Sequence, residues 1–193
     1  MNPRLWGPGM WHMMLSIAWN CPSRKLGTLI HVLLHDIPIL LPCPVCRAHY
    51  VKTHVALKCR LGEPTSVTSA FHWVYYLKDE VNKITGARPL SLADLENRLN
   101  LSGGRCDDVL VADTLMYIAI FSAKHENDDQ FVTLCHNLCH LLPLPPDSHL
   151  LLALGSVRKP ILSHAFRAYK HTRIEHGISF LPMASLRNLT SDD

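Results

Sequence analysis

The sequence has little bias in charge and few of the residues that mark fibrous, disordered or disulfide-rich chains. Its 193 residues include 19 Lys and Arg against 16 Asp and Glu, and this net charge of +3 is too small to indicate nucleic acid as a partner. Nine Gly and 13 Pro exclude collagen-like and low-complexity classes, whereas 48% hydrophobic and 18% charged residues exclude a disordered chain. The composition therefore predicts one folded domain, or two small ones, with a hydrophobic core.

Cysteine is sparse for a disulfide-stabilised scaffold, because the chain contains only seven. The odd number leaves at least one thiol without an intramolecular disulfide partner. The first residues lack the apolar run and cleavage site of a secretory signal, so we expect a reducing, cytoplasmic location, where cysteines are more often catalytic, metal-binding or inert than structural. The longest apolar stretch, 109–121, is interrupted by Asp113 and is too short to span a membrane, so it predicts a buried helix.

The spacing of apolar residues predicts an all-α chain, because no stretch shows the period-2 alternation of a strand. In the first half we expect helices at 11–19, from Ser23 to a stop at Pro38 and Pro42, at 43–57, from Ser66 or Ser69 to a stop at Gly86 and Pro89, and at 91–99. Ser91 would be the N-cap of the last of these, with Asp94 in the capping-box position. After a linker at 102–104 we expect helices at 107–124, 129–142 and 149–175, and then a polar tail at 185–193.

The linker divides the chain into two predicted domains, 1–101 and 105–184. A shift of 101 residues without gaps aligns 14–44 with 115–145, and eight of the 31 aligned positions are identical. We interpret the second domain as a degenerate copy of the first, since its chain has no cysteine pair at the corresponding place. The alternative is chance similarity between two Leu-rich helices that are each followed by Pro.

The segment Cys43-Pro44-Val45-Cys46 is the strongest local signal of chemistry. Two cysteines separated by two residues at the start of a helix can close an exchangeable disulfide. The unpaired N–H groups and the positive dipole end of the helix favour thiolate and so lower a cysteine pKa, and Arg47 adds positive potential. The residues therefore predict a redox-active pair on a helical bundle.

Three alternatives to a redox-active pair stay open at this point. A zinc half-site would need a second pair of ligands at suitable spacing, a thioredoxin-like motif would need a preceding strand, and two inert buried cysteines would need nothing further. The candidate ligands for zinc are Cys135, His136, Cys139 and His140. We interpret the histidines on the Leu-rich helices as packed or surface residues rather than ligands or bases: His31, His35, His136 and His140.

Three blocks of the sequence, taken together, resemble the Erv/ALR family of flavin-dependent sulfhydryl oxidases. The blocks are Trp6-Gly7-Pro8-Gly9-Met10-Trp11 with Ser16-Ile17-Ala18 and Pro22, then Leu41-Pro42-Cys43-Pro44-Val45-Cys46, then Phe71-x-Trp73 with Glu80-Val81-Asn82 and Gly86-Ala87-Arg88-Pro89. The opening Met1-Asn2-Pro3 before Trp6-Gly7 is similar to the forms that large cytoplasmic DNA viruses encode. The resemblance covers residues 3–99.

The resemblance implies a four-helix bundle with a short fifth helix, holding FAD beside the cysteine pair. It implies that substrate thiolate attacks Cys43, and that Cys46 adjoins the flavin and passes electrons to FAD and then to dioxygen, giving hydrogen peroxide. The implied partners are thiol-containing protein substrates, such as viral structural proteins or a thioredoxin-like carrier, in the host cytoplasm or the virion. The family also implies a homodimer, and no nucleic acid is expected.

The resemblance assigns eight residues to the cofactor: Gly7, Trp11, Leu15, Trp73, Lys78, Asn82, Lys83 and Arg88. Three positions depart from the family, because Leu15 and Lys78 stand where it has His, and Asp79 stands where it has Asn. Lys78 would then act as a cation over a phosphate or a ring. The alternative role for Trp73 is a core aromatic, and for Lys83 a solvated surface lysine.

The family commonly uses an extra cysteine pair to carry electrons from substrate to the CxxC. The candidates here are Cys21, Cys59, Cys106, Cys135 and Cys139. Cys135 and Cys139 share a helix face, but the i, i+4 geometry strains a disulfide, so we expect them to be buried free thiols. Two other functions stay open: a helical binding module that has lost flavin, and a zinc-stabilised interaction protein.

Overall fold

A computed structural model describes residues 3–89, 91–125, 127–157, 169 and 172. These ranges contain helices and no strand, which confirms the all-α prediction. The α-helices, in chain order, are α1 (Pro3–Asn20), α2 (Leu26–His31), α3 (Ile37–Leu40), α4 (Pro44–Leu61), α5 (Val67–Thr85), α6 (Leu92–Leu101), α7 (Asp108–Lys124), α8 (Asp128–Leu141) and α9 (His149–Gly155). A π-helical turn (Val32–Asp36) joins α2 to α3. No helix in the described ranges is both long and apolar enough to cross a membrane.

Helix α1 starts at Pro3, eight residues before the predicted start at residue 11. The earlier residues join the helix because Trp6, Met10 and Met13 follow one another at helical spacing and are all buried. Pro8 lies inside α1, where its ring removes one backbone hydrogen bond. Burial of the apolar stripe therefore outweighs the cost of that proline.

Of the two prolines predicted to end this segment, Pro38 does not end it. Pro38 lies directly after the π-helical turn, inside a helical run that continues from Leu26 to Leu40. The helix ends instead after Leu40, ahead of Pro42. The predicted helix 149–175 is also interrupted, because α9 ends at Gly155 and the next two residues leave the helix. Most of its remainder and the tail 185–193 lie outside the described residues.

The predicted helix caps in the first half are confirmed at two sites. The Ser69 N–H donates to Ser66 Oγ at 3.1 Å, and the Ser66 N–H donates to Ser69 Oγ at 2.9 Å, so the two serines form a capping box at the start of α5. Gly86 ends that helix with φ of 69°, a left-handed conformation that glycine adopts without strain. The Asp94 N–H donates to Ser91 Oγ at 3.1 Å at the start of α6.

One cluster of buried apolar side chains extends through both halves of the chain. Helix α1 packs between α5 and α7, α4 packs on α5, and α8 packs on the segment from α2 to α3 and on α9. Burial of this shared apolar surface is the main force that holds the helices together. The division at the linker into two domains stays a prediction.

One pair of residues that the 101-residue shift aligns is in contact. The Asn137 Nδ2 donates to Asp36 Oδ2 at 2.9 Å. A Cβ on Gly9 would meet the Thr114 side chain first and the Leu110 carbonyl oxygen next, at 2.7 Å, so α1 and α7 approach closely there. The interpretation of the second half as a degenerate copy of the first stays a prediction.

Candidate redox site

Cys43 and Cys46 form a disulfide in the first turn of α4, with their Cα atoms 5.2 Å apart. The local sequence favours this turn because Cys43 is the N-cap in extended conformation and Pro44 occupies the first helical turn. The Cys46 N–H donates to Cys43 Sγ at 3.2 Å, which uses one of the unpaired donors of the helix start. Both cysteines are half-buried, while Val45 between them is 64% exposed. The disulfide therefore lies within reach of a thiol from solvent.

Arg47 folds back from the first turn of α4 over the segment that leads into it. Its Nη2 donates to the Leu41 carbonyl at 3.3 Å, and its Cζ lies 5.2 Å from the centroid of the Phe121 ring. The Nε is buried and has no hydrogen-bond partner among the described residues. The guanidinium is therefore held by one carbonyl and one ring, and the ring belongs to α7 in the second half of the chain.

A cleft of about 520 Å³ lies between α4 and α5, and its lining on α4 starts at His49, one turn after Cys46. His49, Thr53 and Arg60 succeed Cys46 at 3, 7 and 14 positions, a spacing that places them on the same side of a helix. The cleft is lined by His49, Lys52, Thr53, Ala56, Leu57, Arg60, Glu80 and Ile84. Its size is typical of a cofactor or small-molecule site.

The cleft carries more positive than negative charge. Lys52 and Arg60 line it, and Glu80 supplies the only carboxylate in its lining, 3.7 Å from Arg60 Nη1. Lys52 is exposed and has no ion-pair partner among the residues described. A cleft with this set of donors suits an anionic ligand such as a dinucleotide phosphate.

Trp11 and Lys78 lie together between α1 and α5. The Lys78 Nζ is 5.9 Å from the centroid of the Trp11 ring, and burial lowers the pKa of Lys78 from its usual value. Asn82 follows Lys78 by one turn and is buried. Lys78 and Asn82 thus lie on one side of α5, and Trp11 of α1 lies beside Lys78.

Trp73 lies on the other side of α5, toward α4. It is buried, and its ring meets the His54 ring edge to face with centroids 5.3 Å apart. The His54 Nδ1 is buried without a hydrogen-bond partner among the described residues, and burial lowers the pKa of His54. The predicted cofactor residues are therefore divided between two sides of one helix.

None of the eight predicted cofactor residues lines the cleft. A Cβ on Gly7 would meet no described atom within 4 Å, and Leu15 is buried in the core. Lys83 is exposed and forms ion pairs with Asp79 at 2.9 Å and Glu80 at 3.0 Å, partners that raise its pKa. Arg88 is exposed beyond the end of α5. Sequence reasoning missed the cleft residues on α4, which helical spacing from Cys46 would have identified.

The remaining cysteines are free thiols: Cys21, Cys59, Cys106, Cys135 and Cys139. This confirms that Cys135 and Cys139 do not pair; Cys135 is buried and Cys139 half-buried. Burial raises the pKa of Cys106 to about 12 and of Cys139 to about 11, which leaves little thiolate to pass electrons. Cys59 is exposed but lies about 20 Å from Cys46 along α4. Among the described residues no group of three or more His, Cys, Asp or Glu could hold a metal ion.

No family model, no curated protein and no solved structure matches this chain. The resemblance to sulfhydryl oxidases therefore depends on the three sequence blocks. Any function must be inferred from the cysteine pair and from the cleft between α4 and α5.

Proposed function

We propose that this chain is an FAD-dependent thiol oxidase that forms disulfide bonds in protein substrates. The observation that carries the proposal is the half-buried disulfide of Cys43 and Cys46 in the first turn of α4, with the exposed Val45 between the two cysteines. In this proposal α1 to α5 form the Erv/ALR-type bundle and α6 is its short fifth helix. The substrates are thiol proteins of the cytoplasm, such as virion proteins or a thioredoxin-like carrier.

The first step exchanges one disulfide for another. A substrate thiolate attacks Cys43 Sγ, the bond between the two cysteines breaks, and Cys46 leaves as a thiolate that carries the electron pair of that bond. The start of α4 stabilises this charge through its dipole and its unpaired N–H groups. The product is a mixed disulfide between the substrate and Cys43.

The second step releases the oxidised substrate. A second substrate thiolate attacks the substrate sulfur of the mixed disulfide, and Cys43 leaves as a thiolate. The Cys46 N–H, which donates to Cys43 Sγ at 3.2 Å in the disulfide form, is placed to stabilise that leaving group. Two substrate thiols have then become one disulfide, and two electrons reside on the cysteine pair.

The residues of the cleft fit an anionic dinucleotide such as FAD. Lys52 and Arg60 would bind its phosphates, and the α4 part of the lining starts at His49, one turn after Cys46. Asn82 is buried outside the cleft lining, and the resemblance assigns it a hydrogen bond to the cofactor. The chemistry that bound FAD would supply is acceptance of two electrons from the dithiol and their delivery to dioxygen, which gives hydrogen peroxide.

One observation favours a second candidate, a helical binding module that has lost flavin. The Trp11 ring, which the resemblance assigns to the cofactor, already has the Lys78 ammonium over it. A bound ring would have to displace that cation or share the face with it. In this second candidate the cysteine pair is a redox-sensitive part of a binding surface rather than a catalyst.

The test is oxygen uptake by the purified full chain with added FAD and a small dithiol. We expect uptake by the wild type and none by Cys43→Ser or Cys46→Ser, whereas Cys59→Ser is the matched control that keeps the rate. Absence of uptake from folded, flavin-loaded wild type would contradict the oxidase. A folded chain that stays colourless in excess FAD would favour the binding module.

A further inference from the structure

We propose that Phe121, on α7 in the second half of the chain, positions Arg47 and thereby sets the thiol–disulfide equilibrium of Cys43 and Cys46. The juxtaposition that carries this is the Phe121 ring 5.2 Å from Arg47 Cζ, in the first turn of the helix that the cysteines begin. The inference rests on the proposed function and assigns a role in it to the second half. Phe121 is a positioning residue, since it acts through Arg47.

The position of the guanidinium depends on few contacts. Arg47 directly follows Cys46, and its own N–H donates to the Cys43 carbonyl at 2.9 Å. Its Nη2 reaches back to the Leu41 carbonyl at 3.3 Å, so the side chain spans the segment in front of the disulfide. The Nε has no hydrogen-bond partner among the described residues, so the ring of Phe121 is the principal further contact that holds the guanidinium in place.

The ring of Phe121 is itself firmly placed. Phe121 is 6% exposed, and its ring lies 4.3 Å from the His125 ring one turn further along α7, centroid to centroid. The guanidinium thus meets the face of a ring that cannot easily turn away. A cation over an aromatic face is attracted by the negative charge of that face, and more strongly when water is excluded.

The consequence follows from the charge of Arg47. Reduction of the disulfide creates thiolate in the first turn of α4, and a cation held there stabilises the reduced pair. A guanidinium that is free to move into solvent stabilises it less, because water and salt screen the charge. Loss of the Phe121 ring should therefore shift the equilibrium toward the disulfide.

The test measures the equilibrium of the full chain with glutathione. Two glutathione thiols reduce the Cys43–Cys46 disulfide and leave as oxidised glutathione, so two electrons and two protons pass to the cysteine pair. The ratio of dithiol to disulfide is trapped by alkylation and read by mass. Because the readout needs neither flavin nor oxygen, it is independent of turnover.

We expect Phe121→Leu and Arg47→Gln each to lower the equilibrium constant for reduction by about two- to tenfold. The double variant should equal Arg47→Gln, because Phe121 acts only through the Arg47 guanidinium. Phe121→Tyr keeps the ring face and should retain the wild-type constant. Phe131→Leu is the matched control, since Phe131 is a buried phenylalanine of α8, and its substitution should leave the constant unchanged.

Two results would overturn the inference and leave the oxidase intact: a wild-type constant in Phe121→Leu, or an equal shift in Phe131→Leu. If Arg47→Gln and Phe121→Leu shift the constant additively, the two residues act separately and the inference also fails. A wild-type pair that does not exchange with glutathione at all would overturn the proposed function itself.

Discussion

Nearly the same sequence precedes a helix in each half of the chain, but the two helices differ. Leu40-Leu41-Pro42-Cys43-Pro44 leads into α4, and Leu141-Leu142-Pro143-Leu144-Pro145 precedes α9. Helix α4 is 18 residues long, begins with a disulfide and has a cationic cleft along one side, whereas α9 is seven residues long and ends at Gly155. A similar Pro-containing segment thus precedes a redox site in one half and a packing helix in the other. The two helices differ in their cysteine and cationic residues.

The two halves of the chain also contact each other. Gly9 of α1 approaches Thr114 and Leu110 of α7, and the Asn137 Nδ2 donates to Asp36 Oδ2. His12 adds a third link, because its Nε2 accepts the N–H of Asp107 at 2.8 Å at the start of α7. We therefore expect these contacts between the half with the cysteine pair and the other half to stabilise both.

The largest effect is expected from a methyl group on Gly9. Gly9→Ala would place a Cβ against the Thr114 side chain and 2.7 Å from the Leu110 carbonyl oxygen, so α1 and α7 would have to separate. We expect the free energy of unfolding to fall by about 3 kcal/mol, read from urea denaturation.

Gly7→Ala is the matched control for this prediction. A Cβ there would meet no described atom within 4 Å, and alanine favours a helix, so stability should stay the same or rise by up to about 1 kcal/mol. If Gly7→Ala and Gly9→Ala destabilise the chain equally, the close approach of the two halves at Gly9 is wrong.

A smaller effect is expected from the polar pair. Asn137→Leu would leave the Asp36 carboxylate, which is 5% exposed, with His31 Nε2 at 3.2 Å as its remaining partner. The cost should be about 1–2 kcal/mol of unfolding free energy, because a buried acceptor loses a hydrogen bond.

Exchange of the Asp36 and Asn137 side chains tests whether the two positions are equivalent. The double variant Asp36→Asn with Asn137→Asp keeps one carboxylate and one amide at the same contact. It should recover part of the stability that Asn137→Leu loses. A double variant as unstable as Asn137→Leu would show that the two positions are not equivalent.

The smallest effect is expected on the pH dependence of the free energy of unfolding. Burial lowers the pKa of His12, with a smaller opposing effect from the Asp107 carboxylate. The unfolded chain then binds more protons than the folded chain as pH falls through about 6.5. The stability from the neutral ring is complete above that pH and is lost below it, as His12 is protonated and can no longer accept the Asp107 N–H.

Two variants of His12 distinguish the effect of its hydrogen bond with Asp107 from the effect of its protonation. His12→Gln can accept the same N–H without titrating, so thermal unfolding should lose this part of its pH dependence and keep the stability seen at higher pH. His12→Leu should also lose the pH dependence, but at lower stability. Persistence of the full pH dependence in both variants would exclude His12 as its source.

The elements of the first half were predictable from sequence because their determinants are local. The caps at Ser66 and Ser91 and the disulfide turn at Cys43 depend on residues three positions away, which a pattern can recognise. The errors came where distant packing outweighs local preference. Helix α1 extends past Pro8 because its apolar stripe is buried, and Pro38 is accommodated after a π-helical turn.

The sequence by itself determined the all-α class, the cysteine pair at a helix start and the repeated approach in the second half. Only the tertiary structure decided that Arg47 meets Phe121, that the cleft lies between α4 and α5, and that Trp11 and Trp73 lie on different sides of α5. The reason is physical: backbone hydrogen bonds of a helix close within four residues, whereas these contacts join side chains from separate helices. Their placement follows from how the whole core packs.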